Sequence, residues 1–503
     1  AGTTAVGLRL GRGETSARDY FVASQSIPWW AVLFSVVATE TSALTFISIP
    51  GIAYLGDFTF LQVAMGYVVG RVIVAYTLLP RYYRGHLVTA YALLERRFGV
   101  ATRRFASVIF MVTRAFADSV RVFATAIPIA LILGGTVSQS NAMRLAVLIL
   151  GVLTAIYTYH GGMRAVVWTD VIQTCVYLVG AGAAIYLLGV TVTGGWHAIL
   201  GTAASAGKLR VFDLSLRVDR PYTLAAGLIG GAFLSMASHG ADQLIVQRLL
   251  AASSLGDARR ALIGSGIAVL LQFALFLAIG IGLYAYYAGR HFDASDAIFP
   301  RYILERMPHG LVGLVVAAIL AATMSTHSGA INSLASSTTF DIYLPLSGKR
   351  ADDPSLLRTA KRFTLVWGVL LTGGALLYRQ NGTPVVQIAL SIASFTYGGL
   401  LGGFFLAILW RRALQRDAIT GMAVGIAAMT LVVFAKPLAI LLPAAAPTLA
   451  PLGTIAWPWY VLIGTSLTVA IGVLSSLTHG APPAEREVAP GSARGAAPSG
   501  ASA

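Results

Sequence analysis

Twelve long apolar stretches, joined by short polar and often basic connections, dominate this 503-residue sequence and constrain what it can fold into. They run roughly 29–55, 59–80, 103–135, 140–160, 163–192, 222–246, 259–288, 308–343, 361–378, 384–410, 418–441 and 457–478. A helix that crosses the hydrocarbon layer needs about 20 mostly apolar residues, and only helices and closed barrels satisfy their backbone polar groups in lipid. The pattern therefore predicts an all-α membrane protein. The third and eighth stretches are too long for an upright crossing, so tilt or extension beyond the bilayer is expected there. Hydrophobic residues make up 56% of the chain and charged residues 11%, against about 25% charged in an average soluble chain. An ordinary soluble enzyme and a largely disordered chain are both excluded. The single cysteine, Cys175, lies in an apolar run and rules out a disulfide scaffold.

A net charge of +16 raises the question of nucleic acid. The basic residues instead fall in short clusters between apolar runs, as in cytoplasmic membrane loops. With the segment before residue 29 placed in the cytoplasm, 23 of the 36 Lys and Arg residues lie inside and 10 outside. Arg71, Arg114 and Arg121 remain within spans. That bias sets the orientation. Ala1–Leu10 is apolar but too short to span, and reads as the tail of a helix lying before this sequence; Ala481–Ala503, rich in Pro, Gly, Ala and Ser, reads as a disordered cytoplasmic tail.

Ionisable and polar groups at bilayer depth are costly and mark function by default. The first stretch carries Thr39, Glu40, Thr41, Ser42 and Thr45 at its centre, then Pro50-Gly51. Such a helix is easily interrupted, which frees carbonyls at mid-membrane for an ion or solute; polar helix packing is the alternative. The eighth stretch crowds Ser325, Thr326 and Ser328 into one turn, where hydroxyls and the Ala322 carbonyl can share a small hard cation such as Na+; small-residue packing again competes. In the third, Arg114, Asp118 and Arg121 share one helix face and sum to +1 when ionised. Either the charges neutralise one another, or Asp118 serves Arg114 and leaves Arg121 to grip a carboxylate with its planar fork. Asp170 has no basic partner in its own span after Arg164, and Asp242 reads as a cap at the membrane boundary. Gly398-Gly399 and Gly402-Gly403 read as close helix packing. No Walker loop, HExxH, CxxC, GxSxG or clustered His set appears, so an enzyme is not expected.

Four segments carry a resemblance: DYFVASQSIPWW before the first span, GGMRAVVWTDVIQ into the fifth, DQLIVQRLLAA after the sixth and AAILAATMSTHSGAINSLASSTTFDIY in the eighth. In this order, over residues 19–478, the chain resembles the sodium:solute symporter family of bacterial proline, galactose and sialic acid carriers and human sodium/glucose carriers. The resemblance implies a LeuT-like core of inverted five-helix repeats, here 29–192 and 222–410, joined by an extracytoplasmic loop 193–221. Two further helices would occupy 411–478, with an N-terminal remnant and cytoplasmic segment 1–28 and a tail 479–503. The family's first helix would precede the point where this sequence begins. Matching motifs implies a principal sodium site at Ala38, Thr41, Ala322, Ser325 and Thr326. A second sodium site of some relatives maps to Asp170, Ser325 and Ser328, but its third position, where a hydroxyl can occur, is Gly329. Solute candidates by position are Ser42, Thr45, Phe60, Gln62 and Arg121. Galactose-type carriers would show Glu where this chain has Ala64, and Arg121 looks like the carboxylate holder of sialic acid carriers, so an organic anion such as a sialic acid or monocarboxylate is expected over a neutral sugar.

The expectation is thus sodium-coupled symport by alternating access in a cell membrane, that of a bacterial inner membrane. A proton-coupled carrier using Glu40 and a symporter-like sensor are the alternatives. Only about 25 residues follow the last span, too few for a kinase module.

Overall fold

A computed structural model describes residues 16–41, 43–84, 87–133, 138–292, 295–378 and 385–479. The readings for Ala1–Leu10 and Ala481–Ala503 lie outside these residues. Every apolar stretch becomes helical. The first is divided into α1 (Trp29–Glu40) and α2 (Ala43–Leu55), bent by 60° relative to one another. The main helix of the second is α3 (Leu61–Thr77) and the third is α4 (Val100–Leu133). The fourth and fifth form one long element, α5 (Gln139–Thr191), divided where Gly162 takes φ 47° and ψ −153°. A side chain rarely adopts that positive φ, so glycine belongs at this break.

The sixth stretch is also interrupted. A π-helical turn, Ala226–Gly230, leads into α6 (Gly231–Gly240), and the helix stops at Ala241 before α7 (Gln243–Leu250) begins. Asp242 caps α7 by accepting the Leu244 N–H at 2.8 Å. The remaining long helices are α8 (Leu255–Tyr286), α9 (His309–Ser337), α10 (Pro354–Leu377), α11 (Val385–Leu409), α12 (Gln415–Val433) and α13 (Trp459–Leu477). Among the described residues, seven helices are long and apolar enough to span alone, and the bent α1–α2 pair makes up to eight. The third and tenth stretches and the divided sixth are not among these.

Packing follows the small residues. α9 lies against α5, α1 and α10, while α3 lies against α6 and α8. α11, α12 and α13 pack on one another, and α11 also packs on α4. The three helices approach through glycine: a Cβ on Gly398 would sit 2.7 Å from Gly464 Cα, and one on Gly402 would sit 2.5 Å from Thr468 Cβ. Without a hydrophobic drive between helices in lipid, such close backbone approach is a main source of association. Gly398→Ala should therefore lower the thermal midpoint in detergent by several degrees, an overpacking cost of about 1–3 kcal/mol. Gly373→Ala, whose Cβ would meet nothing within 4 Å, should leave the midpoint unchanged.

Candidate functional site

The break in the first stretch faces α9. α1 ends as Thr41 leaves helical geometry at φ −84° and ψ 78°, its N–H still bonded to the Val37 carbonyl at 2.8 Å. Thr326 Oγ1 reaches across from α9 to the Thr39 carbonyl at 3.5 Å while also donating towards its own Ala322 carbonyl at 3.1 Å. Ala38, Thr41, Ala322, Ser325 and Thr326 are all buried along this contact, at 3% exposure or less. Thr41 Oγ1 is buried with no hydrogen-bond partner among the described residues. The result is a set of neutral hydroxyl and carbonyl oxygens with no carboxylate among those five residues.

Asp170 stands beside this group and is fully buried. Its Oδ1 accepts from Ser325 Oγ at 2.6 Å, and its Oδ2 accepts from Ser35 Oγ at 2.5 Å and from Arg248 Nη2 at 3.3 Å. Ser328 turns its hydroxyl to the Ser325 carbonyl at 3.0 Å. The partner that Asp170 lacks in its own span comes from α7: Arg248, also fully buried, bonds Ser35 Oγ at 3.0 Å and the Leu244 carbonyl at 2.9 Å. Its guanidinium lies directly over Gly329, so that any Cβ at 329 would collide with it. The charge bias between loops would place Arg248 among the cytoplasmic basic residues; the divided sixth helix carries it inward instead.

The third-span charges are arranged differently from the sequence expectation. Arg114 pairs with Asp242, and Tyr397 bonds both, at 2.8 Å from Arg114 Nη2. Asp118 lies 3.6 Å from Arg114 Nε and 3.5 Å from Arg121 Nη1. Asp242 is therefore a buried counter-ion at a helix break as well as the cap of α7. With Asp242 included, the four groups sum to zero, and the expected surplus of +1 disappears. What distinguishes Arg121 is geometry. It is the most exposed of the group, at 19%, its Nε is unpartnered among the described residues, and it lines a small cavity with Thr125, Thr323, Thr326 and His327. The cavity has room for about one water molecule.

The other solute candidates are not gathered there. Ser42 lies outside the described residues. Thr45 is buried in α2. Phe60 packs edge-on against Tyr222 and Phe273. The Gln62 amide donates to the Thr59 and Tyr222 carbonyls at 3.1 and 3.0 Å and accepts from Asp213 N at 3.2 Å. Phe60 and Gln62 are thus held against the 193–221 connection and the start of the sixth stretch. Glu40 pairs with Arg71, which also donates to Ser265 at 2.7 Å, and lies 3.6 Å from His239. The carboxylate a proton-coupled carrier would use is already in a salt bridge.

Two groups escaped the sequence reading. Asp341, in the FDIY end of the eighth segment, accepts from Thr89, Ser107 and Arg103, each at 2.6 Å. An acidic residue inside the eighth apolar stretch was the available signal. His327, discussed below, is adjacent to Thr326 but stood out by no spacing rule.

Similarity to known proteins accords with this architecture. The sodium:solute symporter family profile matches residues 20–425. The sodium/sialic acid symporter NanT of Aliivibrio fischeri is 32% identical over 479 residues, covering 94% of this chain and 90% of that protein. The sodium/sialic acid symporter SiaT of Proteus mirabilis is 31% identical over 433 residues, covering 84% and 86%. Among solved structures, the substrate-bound outward-open state of a Na+-coupled sialic acid symporter superposes with a TM-score of 0.82 at 28% identity, covering 95% of this chain and 96% of that one. The nucleobase-cation symporter Mhp1, at 12% identity and a TM-score of 0.54, shares the fold. With a profile match over most of its length and bacterial relatives above 30% identity, the chain belongs to the sodium:solute symporter family.

Proposed function

We propose that this symporter imports a carboxylate-bearing solute of the sialic acid class together with one sodium ion per cycle. The observation that carries the sodium assignment is Thr326, whose hydroxyl spans the Thr39 carbonyl at the end of α1 and the Ala322 carbonyl of α9. Sodium prefers several hard oxygens and needs no deprotonated ligand. Carbonyls of Ala38 and Ala322 with hydroxyls of Thr41, Ser325 and Thr326 fit that requirement, and the unpartnered Thr41 hydroxyl is an oxygen with capacity to spare. Ser325 donates its proton to Asp170, which leaves its lone pairs for a cation.

A single ion is supported by Arg248. Its guanidinium lies over Gly329 and against Asp170, where a fixed positive charge takes the place of a second sodium at Asp170, Ser325 and Ser328. The solute assignment rests on Arg121, whose fork matches two carboxylate oxygens, and on the names of the two bacterial relatives. In the cycle, sodium would tie α1 to α9 and favour the outward-open state; solute would follow, and the repeats 29–192 and 222–410 would rock against each other. Only a difference in sodium affinity between the two states can drive this. One sodium with a monoanion moves no net charge, so the sodium gradient acts without the membrane potential, which would add about 2.3 kcal/mol per 100 mV for each further charge.

Four measurements test the reading, the transport ones in proteoliposomes with choline replacing sodium as control. Ser325→Ala combined with Thr326→Ala should raise the sodium concentration for half-maximal uptake at least about tenfold, or ~1.4 kcal/mol; unchanged activation in a folded double variant rejects the site. The sodium-to-solute flux ratio should be one. Asp170→Asn should preserve that ratio while lowering thermal stability, because it leaves Arg248 buried without its counter-ion. Arg121→Lys keeps charge but loses the fork, so affinity for the acid should fall at least about tenfold, with sodium binding in the absence of solute retained.

A further inference from the structure

We infer that His327 reads a hydroxyl group next to the substrate's carboxylate, which makes the cargo a 2-hydroxy acid and His327 a determinant of that preference. This inference rests on the assignment of Arg121 as carboxylate holder. His327 is 98% buried in α9, and neither ring nitrogen finds a hydrogen-bond partner among the described residues. It is not simply enclosed in apolar packing. Its helical turn, Thr323 and Thr326 included, lines the same small cavity as Arg121 and Thr125 of α4. A buried polar group without a partner has lost its hydration with nothing in return, so an imidazole left this way needs a partner supplied from elsewhere.

The unused hydrogen-bonding capacity around the cavity has a definite composition. The Arg121 Nε–H is an unused donor, and Asp118 Oδ2 faces the Arg114 Nε–H only at 3.6 Å. An uncharged imidazole offers one donor and one acceptor. Thr125 and Thr323 donate their protons to the Arg121 and Ile319 carbonyls, at 2.9 and 2.8 Å, and so face the cavity as acceptors only. A bare carboxylate would satisfy Arg121 but offers no donor to the imidazole nitrogen, the threonine oxygens or Asp118. A hydroxyl both donates and accepts. Arg121 and His327 line one cavity with room for about one water, which an acid would widen on entry; groups facing the same small space are met by neighbouring groups of one ligand, which points to the carbon bearing the carboxylate. A site built to hydrogen-bond a substrate hydroxyl discriminates strongly against the analogue that lacks it, because its own polar groups are then left unpaired.

The test compares matched acids on the full-length protein: N-acetylneuraminate with its 2-deoxy analogue, and lactate with propionate, by sodium-dependent binding and uptake. The wild type should prefer the hydroxylated member at least about tenfold. His327→Leu should abolish that preference by weakening only the hydroxylated acid, with sodium activation and affinity for the deoxy acid unchanged. His327→Asn, which keeps a donor and an acceptor, should restore part of it. Equal weakening of both acids by His327→Leu would make the histidine structural, and an unaltered preference would also overturn the inference. If either pair binds in an Arg121-dependent manner without any hydroxyl preference, the inference fails while the carboxylate reading stands; if no acid binds, or binding ignores Arg121→Lys, the carboxylate reading itself has failed.

Discussion

The structure depends on pairing polar groups that lie at bilayer depth. A helix interrupted in lipid exposes carbonyls and N–H groups that no water can satisfy, so an interruption survives only where neighbouring side chains or ions meet it. In this protein the breaks of the first and sixth stretches are met. Thr326 answers the carbonyls at the end of α1, and Asp242 answers the N–H groups at the start of α7. Asp242 then requires a cation, which Arg114 supplies. The same rule places Arg71 on Glu40 and Arg248 on Asp170. Breaking one such buried pair from one side costs about 3–5 kcal/mol, which ties the breaks, and the site they create, to the surrounding helices.

These pairings also separate roles that look alike in sequence. Glu40, Asp118, Asp170 and Asp242 are all acidic residues within spans. Asp242 and Asp170 are counter-ions that hold the two ends of α7 against α4 and α5. Glu40 is locked to α3 through Arg71. Asp118 alone is shared weakly, at 3.5 and 3.6 Å, between two arginines. That looser arrangement borders the cavity that Arg121 and His327 line, the proposed site for the cargo. Tight pairs would resist rocking of the repeats; a site for transient binding needs incomplete ones.

Coupling has a simple physical basis in this arrangement. The residues assigned to sodium and those assigned to the carboxylate share a wall, because Thr326 belongs to the sodium group and also lines the Arg121 cavity. A cation that draws α1 onto α9 would therefore also fix one side of the solute pocket. Such a contact lets one ligand alter the affinity for the other by biasing the same two-state element.

The apolar periodicity alone determined that this is a helical membrane protein and where its helices lie, because length and hydropathy suffice to identify a span in lipid. The polar centre of the first stretch likewise announced its break, and local composition announced the hydroxyl cluster of the eighth. The glycine pairs of the tenth were legible as close packing, since small residues have few other uses there. Tertiary structure decided the partners. Asp170 and Arg248 are 78 positions apart, and Arg114 and Asp242 are 128 apart; no spacing rule reaches that far. The apparent surplus charge of the third span vanished because Asp242 arrives from a different helix. That the Arg248 guanidinium of α7 lies against Gly329 is likewise a matter of volume that only the fold shows. His327 became conspicuous only once its surroundings showed both nitrogens without partners, since a side chain's chemistry is written in its sequence but its unmet hydrogen bonds are a property of the fold.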